Sequence, residues 1–108
     1  MGKYIVAISP RERQSVTVYC ASMDAPSHVL SFVLDFMSDV ENFYRHKVLF
    51  DSDSKYESDN TQFLKHVKRR YRKNYKTAIS FTLSFIIKSD MDDFVENFYE
   101  FLDIDELY

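Results

Sequence analysis

The chain has 108 residues, 45% of them hydrophobic, 17% aromatic and 29% charged, which describes a single globular domain and excludes a wholly disordered chain. One glycine and two prolines exclude collagen-like repeats and flexible linkers. Gly2 being the only glycine, no glycine-rich phosphate loop exists, and the lone Cys20 excludes a disulfide framework or a multi-cysteine zinc site.

Residues 3–9 and 15–22 are rich in β-branched and aromatic side chains, and Val16, Val18 and Cys20 alternate with Thr17 and Tyr19. The two runs predict a hairpin closed by the polar residues 10–14. Asp24 then stands as a helix N-cap ahead of Pro26, proline being favoured in a first turn. From there to about His46 the residues Val29, Leu30, Val33, Phe36, Met37, Val40, Phe43 and Tyr44 keep helical spacing, while Asp35, Ser38, Asp39 and Glu41 avoid the stripe. Leu30, Phe32, Leu34 and Phe36 also alternate as a strand would, so residues 29–36 carry both patterns.

Residues 48–50 suit a short edge strand and 51–59 a polar loop. Asp59 with Gln62 three residues on resembles a capping box opening a helix over 62–76, whose apolar stripe is Phe63, Leu64, Val67, Tyr71 and Tyr75. Residues 77–87 form the clearest strand, with Ile79, Phe81, Leu83, Phe85 and Ile87 on one side and Ser80, Thr82 and Ser84 on the other. Ser89 or Asp90 caps a last helix carrying Met91, Phe94, Val95, Phe98, Phe101 and Leu102 on one stripe. The expected fold is α+β, one domain over 1–108. A small antiparallel sheet, elements in the order β-β-α-(β)-α-β-α, has 79–87 in its central strand and helices packed on one face.

One pentapeptide, Val-Glu-Asn-Phe-Tyr, occurs at 40–44 and again at 95–99, and Leu-Ser-Phe at 30–32 echoes 83–85. Two readings fit: a duplicated strand–helix unit, or two amphipathic helix segments built from similar residues in an aromatic-rich chain.

Charge is distributed far less evenly than the formal net value of −3 suggests. Residues 61–88 hold eight Lys or Arg and no acid, and residues 89–108 hold eight Asp or Glu and no base. Two fields of opposite sign therefore occupy adjacent segments. The basic run places seven cations between Lys65 and Lys76, a density suited to phosphate contacts through counterion release. The sequence pI of about 5.5 argues against a nucleic-acid-binding domain.

Catalytic constellations are missing. Cys20 falls on the inner face of its strand, where a small buried hydrophobe is the expected identity. His28, His46 and His66 stand about 20 residues apart, without metal-ligand spacing. Asp51-x-Asp53 opens like a calcium loop, but Lys55 occupies a ligand position and Tyr56 the position that requires glycine. No enzyme activity, cofactor or metal is expected.

The leading expectation is a non-enzymatic interaction protein, an inhibitor or regulator of a macromolecular target. It would work through segregated surfaces, the basic one Lys65, Lys68, Arg69, Arg72, Lys73 and Lys76 and the acidic one Asp92, Asp93, Glu96, Glu100 and Asp103. Three readings fit the acidic helix: it packs within the chain with its charges solvated, docks on the basic helix of the same or a second copy, or imitates a phosphate backbone. The alternative is an RNA- or DNA-binding module using Lys65, Lys68, Arg69, Arg72, Lys73 and Lys76 on the helix 62–76. A homodimer is also expected, through a seam of Val33, Phe36, Val40 and Phe43. The competing arrangement makes the same helix the centre of a monomer's core.

The small size and the many Lys, Asn, Tyr and Phe residues resemble small virus- or phage-encoded proteins that disable a host factor, a likeness of composition carried by no motif. The apolar stretch near the N-terminus is too short for a signal-peptide core, and no run approaches the roughly 20 residues that span a bilayer. A cytoplasmic location without membrane contact is expected, in the host cytoplasm if the protein is viral.

Overall fold

The computed structural model describes residues 4–51 and 57–102. The chain runs β1 (Tyr4–Arg11), β2 (Ser15–Ser22), α1 (Pro26–Phe43), β3 (Val48–Asp51), α2 (Glu57–Tyr71), β4 (Thr77–Phe85) and α3 (Lys88–Asn97), with a 3-10 turn at Phe98–Phe101. The four strands make one antiparallel sheet in the order β1-β2-β4-β3. This is the expected α+β fold with the expected order of elements, and β4 lies inside the sheet beside β2.

Alternation along the strands divides the apolar residues between two cores. Val16, Val18 and Cys20 of β2 and Phe81, Leu83 and Phe85 of β4 point to one side. There they meet Val29, Val33, Phe36, Met37 and Val40 of α1, and Phe94 of α3 with Phe98. An aromatic network stitches the layer together, with Phe36 edge-on to Phe81 and Phe94 at ring separations of 5.9 and 6.2 Å. Ile5 of β1 and Ala21 of β2 point to the opposite side and pack on Phe63 and Val67 of α2 and on Tyr75, with Ala7, Tyr19 and Ala78 at the margin. Tyr19 stacks on Phe63 at 5.2 Å. Helices thus cover both faces of the sheet, two on one side and α2 on the other, where a single covered face was expected. The reason lies in Ala7, Ala21 and Ala78, whose small side chains leave the second face flat enough for a helix to approach.

Element ends differ from the sequence expectations for local reasons. Ala25, not Asp24, is the N-cap of α1. Asp24 is engaged elsewhere, accepting a hydrogen bond from the Tyr4 hydroxyl at 3.0 Å while its own N–H donates to Ser22 Oγ at 2.9 Å. Residues 29–36 are helical throughout, so the two copies of the pentapeptide both lie at helix ends and the strand–helix duplication is not present. The first helix stops at Phe43, short of His46, because Arg45 and His46 turn the chain in the left-handed region at φ 57° and 63°. Helix α2 begins at Glu57, placing Asp59 inside it and not at a cap. It ends at Tyr71, where Arg72 adopts φ 57°, and the chain leaves the helix axis to bury Tyr75 in the second core. Strand β4 ends at Phe85; Ile87 is the backbone N-cap of α3, which therefore starts ahead of Ser89 and Asp90.

Candidate functional site

The six basic candidates divide between two elements. Lys65, Lys68 and Arg69 lie on the outer side of α2, whose inner side carries Phe63 and Val67 into the second core. Arg72, Lys73 and Lys76 were expected on the same helix; they belong instead to the connector that follows it, because the chain turns at Arg72. All six are exposed, as is Arg70, whose guanidinium sits 5.7 Å from the centre of the Tyr71 ring. Tyr71 and Tyr75 help close the second core, so neither forms an open stacking platform.

The acidic candidates Asp92, Asp93, Glu96 and Glu100 are exposed on α3 and the 3-10 turn, and Asp103 lies outside the described residues. They are not equivalent. Asp92 pairs with Lys88 one turn away at 3.1 Å. Asp93 accepts the Tyr44 hydroxyl proton at 2.8 Å and the Asn97 side-chain amide at 3.2 Å, which ties the end of α1 to α3. Burial and the neighbouring carboxylate raise the Tyr44 phenol well above its ordinary range. Asp93 is therefore a structural tie, while Asp92, Glu96 and Glu100 face outward.

Sequence reading missed the contribution of α1. Asp35 and Asp39, one turn apart and exposed, line a groove of about 370 Å³ with Phe32, Phe36, Ser38 and Phe101. Including Glu41, the α1–α3 layer carries eight carboxylates against the single Lys88. Large apolar side chains stand exposed on the same two helices and the turn: Leu30, Leu34, Phe43 and Tyr99. The available signal was the one that marked Asp35 and Asp39 as avoiding the apolar stripe.

Since α2 lies over one side of the sheet and α1 with α3 over the other, the basic and acidic surfaces look in opposite directions. The core of the molecule separates them. The expected dimer seam is used internally, with Val33, Phe36 and Val40 buried against the chain's own sheet and only Phe43 left outside.

The open half of the second sheet face holds another group that the sequence did not single out. Arg11 lies across it, donating from Nε to Thr17 Oγ1 at 3.1 Å and from Nη2 to the Tyr19 hydroxyl at 2.6 Å. With Pro10, Glu12, Ser15, Thr17 and Thr82 it lines a shallow depression of about 640 Å³. Arg11 pairs in register with Ser15, so the strand extends into the polar residues 10–14 expected to form the loop.

Cys20 is buried between the sheet and α1, and desolvation pushes its thiol up to about 12. The thiolate that nucleophilic chemistry requires is thereby suppressed. His28, His46 and His66 are exposed on separate elements, and among the described residues no three His, Cys, Asp or Glu side chains are grouped to hold a metal ion. Of the calcium-like residues, Asp51 ends β3 and Asp53 lies outside the described residues. No helix among the described residues is long and apolar enough to cross a membrane. No family model, no curated protein and no solved structure matches the chain.

Proposed function

We propose that the protein is a non-enzymatic interaction protein, an inhibitor or regulator whose acidic helical face binds a basic surface on a macromolecular target. The observation that carries this reading is the composition of the α1–α3 face, where Leu30, Leu34, Phe43 and Tyr99 are exposed on elements that also carry eight carboxylates. Apolar and aromatic anchors supply affinity at protein interfaces, and the surrounding charge steers the approach and rejects acidic partners. A target whose own ligand is a nucleic acid fits the charge pattern, since carboxylates spaced along a helix present the field of a phosphate strand.

The test is capture of the partner by wild type and by a Glu96→Gln, Glu100→Gln, Tyr99→Ala variant whose circular dichroism is unchanged. Retention of the same stoichiometric partner by the variant would overturn the assignment of the face. A second reading is favoured by a separate observation: Lys65, Lys68, Arg69, Arg72, Lys73 and Lys76 are all exposed on α2 and the connector after it, in a stretch without acids. It predicts an RNA or DNA mobility shift at about 50 mM salt that weakens as salt rises, and its absence there removes the reading.

A further inference from the structure

We propose that copies of this chain associate head to tail, the basic face of one, formed by α2 and the connector after it, docking on the acidic α1–α3 face of the next. The first ground is charge complementarity. Helix α2 and its connector carry Lys65, Lys68, Arg69, Arg70, Arg72, Lys73 and Lys76, all exposed. The other side carries eight carboxylates and Lys88. A second copy is a partner guaranteed to present the matching field at equal concentration.

The second ground is direction. A two-fold dimer joins one patch to itself, and here that pairs like charges on either face. Joining unlike faces uses one surface from each copy and leaves a free basic face at one end and a free acidic face at the other. Such a contact is heterologous, and without a closing rotation it extends into an open chain. The apolar seam that would have favoured a closed pair is already consumed by the core of each copy.

The third ground is size and surface chemistry. The molecule measures 37 × 27 × 24 Å, so each side offers an area of the same order as the ~800 Å² per partner of a standard interface. Leu30, Leu34, Phe43 and Tyr99 are exposed on the acidic side. The methylene stems of lysines and arginines on the incoming face can cover them while the charged heads reach carboxylates. Charge supplies most of the orientation, so the association is weak and governed by salt.

The experiment is sedimentation and light scattering of the whole chain over a range of concentrations, at about 20 mM and about 500 mM NaCl, where the screening length falls from about 20 Å to about 4 Å. The expected result at low salt is a weight-average mass that rises with concentration past two copies, and at high salt a single copy. Two variants then identify the faces: Lys65→Gln, Lys68→Gln, Arg69→Gln on one side, and Asp35→Asn, Glu96→Gln, Glu100→Gln on the other. Each folded variant alone should remain a single copy at low salt. Their equimolar mixture should form pairs and nothing larger, because each supplies the one intact face that the other lacks. A wild-type mass of one copy at every salt concentration overturns the proposal. So does a mass that stops at two copies, or a mixture that fails to pair. Capture of a target through the acidic face does not depend on this result, so the two readings stand or fall separately.

Discussion

Truncating the aromatic rings of the two Val-Glu-Asn-Phe-Tyr segments to alanine should give opposite rankings in the two copies. In the first copy Phe43 is 61% exposed and Tyr44 6%; in the second Phe98 is 7% exposed and Tyr99 54%. The inversion has a local cause. Met37 precedes Val40 by three residues, whereas Met91 precedes Val95 by four, because Phe94 is the extra residue. Phe94 is fully buried, and an apolar residue just ahead of the pentapeptide turns the helix by about one position, or roughly 100°. The core then receives Phe94 and Phe98 in the second copy where it receives Val40 and Tyr44 in the first. An aromatic side chain buries about 200 Å², so an exposure difference near one half, at about 25 cal/mol per Å², is worth about 2.5 kcal/mol. Phe98→Ala should therefore cost about 3–5 kcal/mol and Phe43→Ala about 1–2 kcal/mol, the latter through lost edge contacts with Tyr44 and Phe101. Tyr44→Ala and Tyr99→Ala should rank the other way. Urea unfolding followed by circular dichroism measures all four, with an unchanged slope confirming that only stability has moved. Phe43→Ala costing as much as Phe98→Ala, or Tyr99→Ala as much as Tyr44→Ala, would refute the register of both helices.

Arg72→Gly should stabilise the fold by about 0.5–1 kcal/mol, because relief of the left-handed strain exceeds the added entropy of the unfolded chain; a thermal melt reads it as a higher midpoint. Asp93→Asn should lower stability by about 1–2 kcal/mol through the Tyr44 hydrogen bond, while Asp92→Asn should stay within about 0.5 kcal/mol, as expected of an exposed ion pair. Stability should fall as pH rises above about 9, since Cys20, Tyr4 and Tyr44 hold their protons in the folded chain at a pH where the unfolded chain releases them. The contribution is intact below the ordinary thiol and phenol values and is lost on the alkaline side, so Cys20→Ala should flatten the decline. Alkylation of Cys20 at neutral pH should be slow in the native state and fast in denaturant, read by mass spectrometry.

What could be read from the sequence followed from residues whose pattern had one structural explanation. Ile79, Phe81, Leu83 and Phe85 alternate with small polar residues, and β4 is the strand they describe. The stripe from Val29 to Tyr44 outweighed the competing alternation because its length exceeds that of a strand. The second core was hidden because alanine signals neither burial nor exposure: Ala7, Ala21 and Ala78 form a floor for α2 only when three strands align. Helix ends were hidden for a related reason. The turns fall at Arg45, His46 and Arg72, residues that carry none of the punctuation glycine would have supplied. Of the charged surfaces, the sign of each segment could be read from the sequence, but their separation to opposite sides depended on the placement of α2. The tie between Asp93 and Tyr44, 49 residues apart, depended on tertiary packing.

The strand order has a consequence for the time course of synthesis. β2 pairs on its inner edge with β4, whose residues are made roughly 60 positions later, and among the described residues β3 has no strand neighbour except β4. At about 5–20 residues per second the first hairpin waits several seconds for its second strand neighbour, its Val16, Val18 and Cys20 row covered by α1 alone. During that interval the polypeptide emerging from a ribosome holds an unpaired strand edge beside a partly filled apolar face, the combination that invites pairing with the wrong chain. Arrival of Thr77–Phe85 completes the sheet, and the first core closes only when Phe94 and Phe98 follow, so the fold depends on contacts between distant parts of the chain.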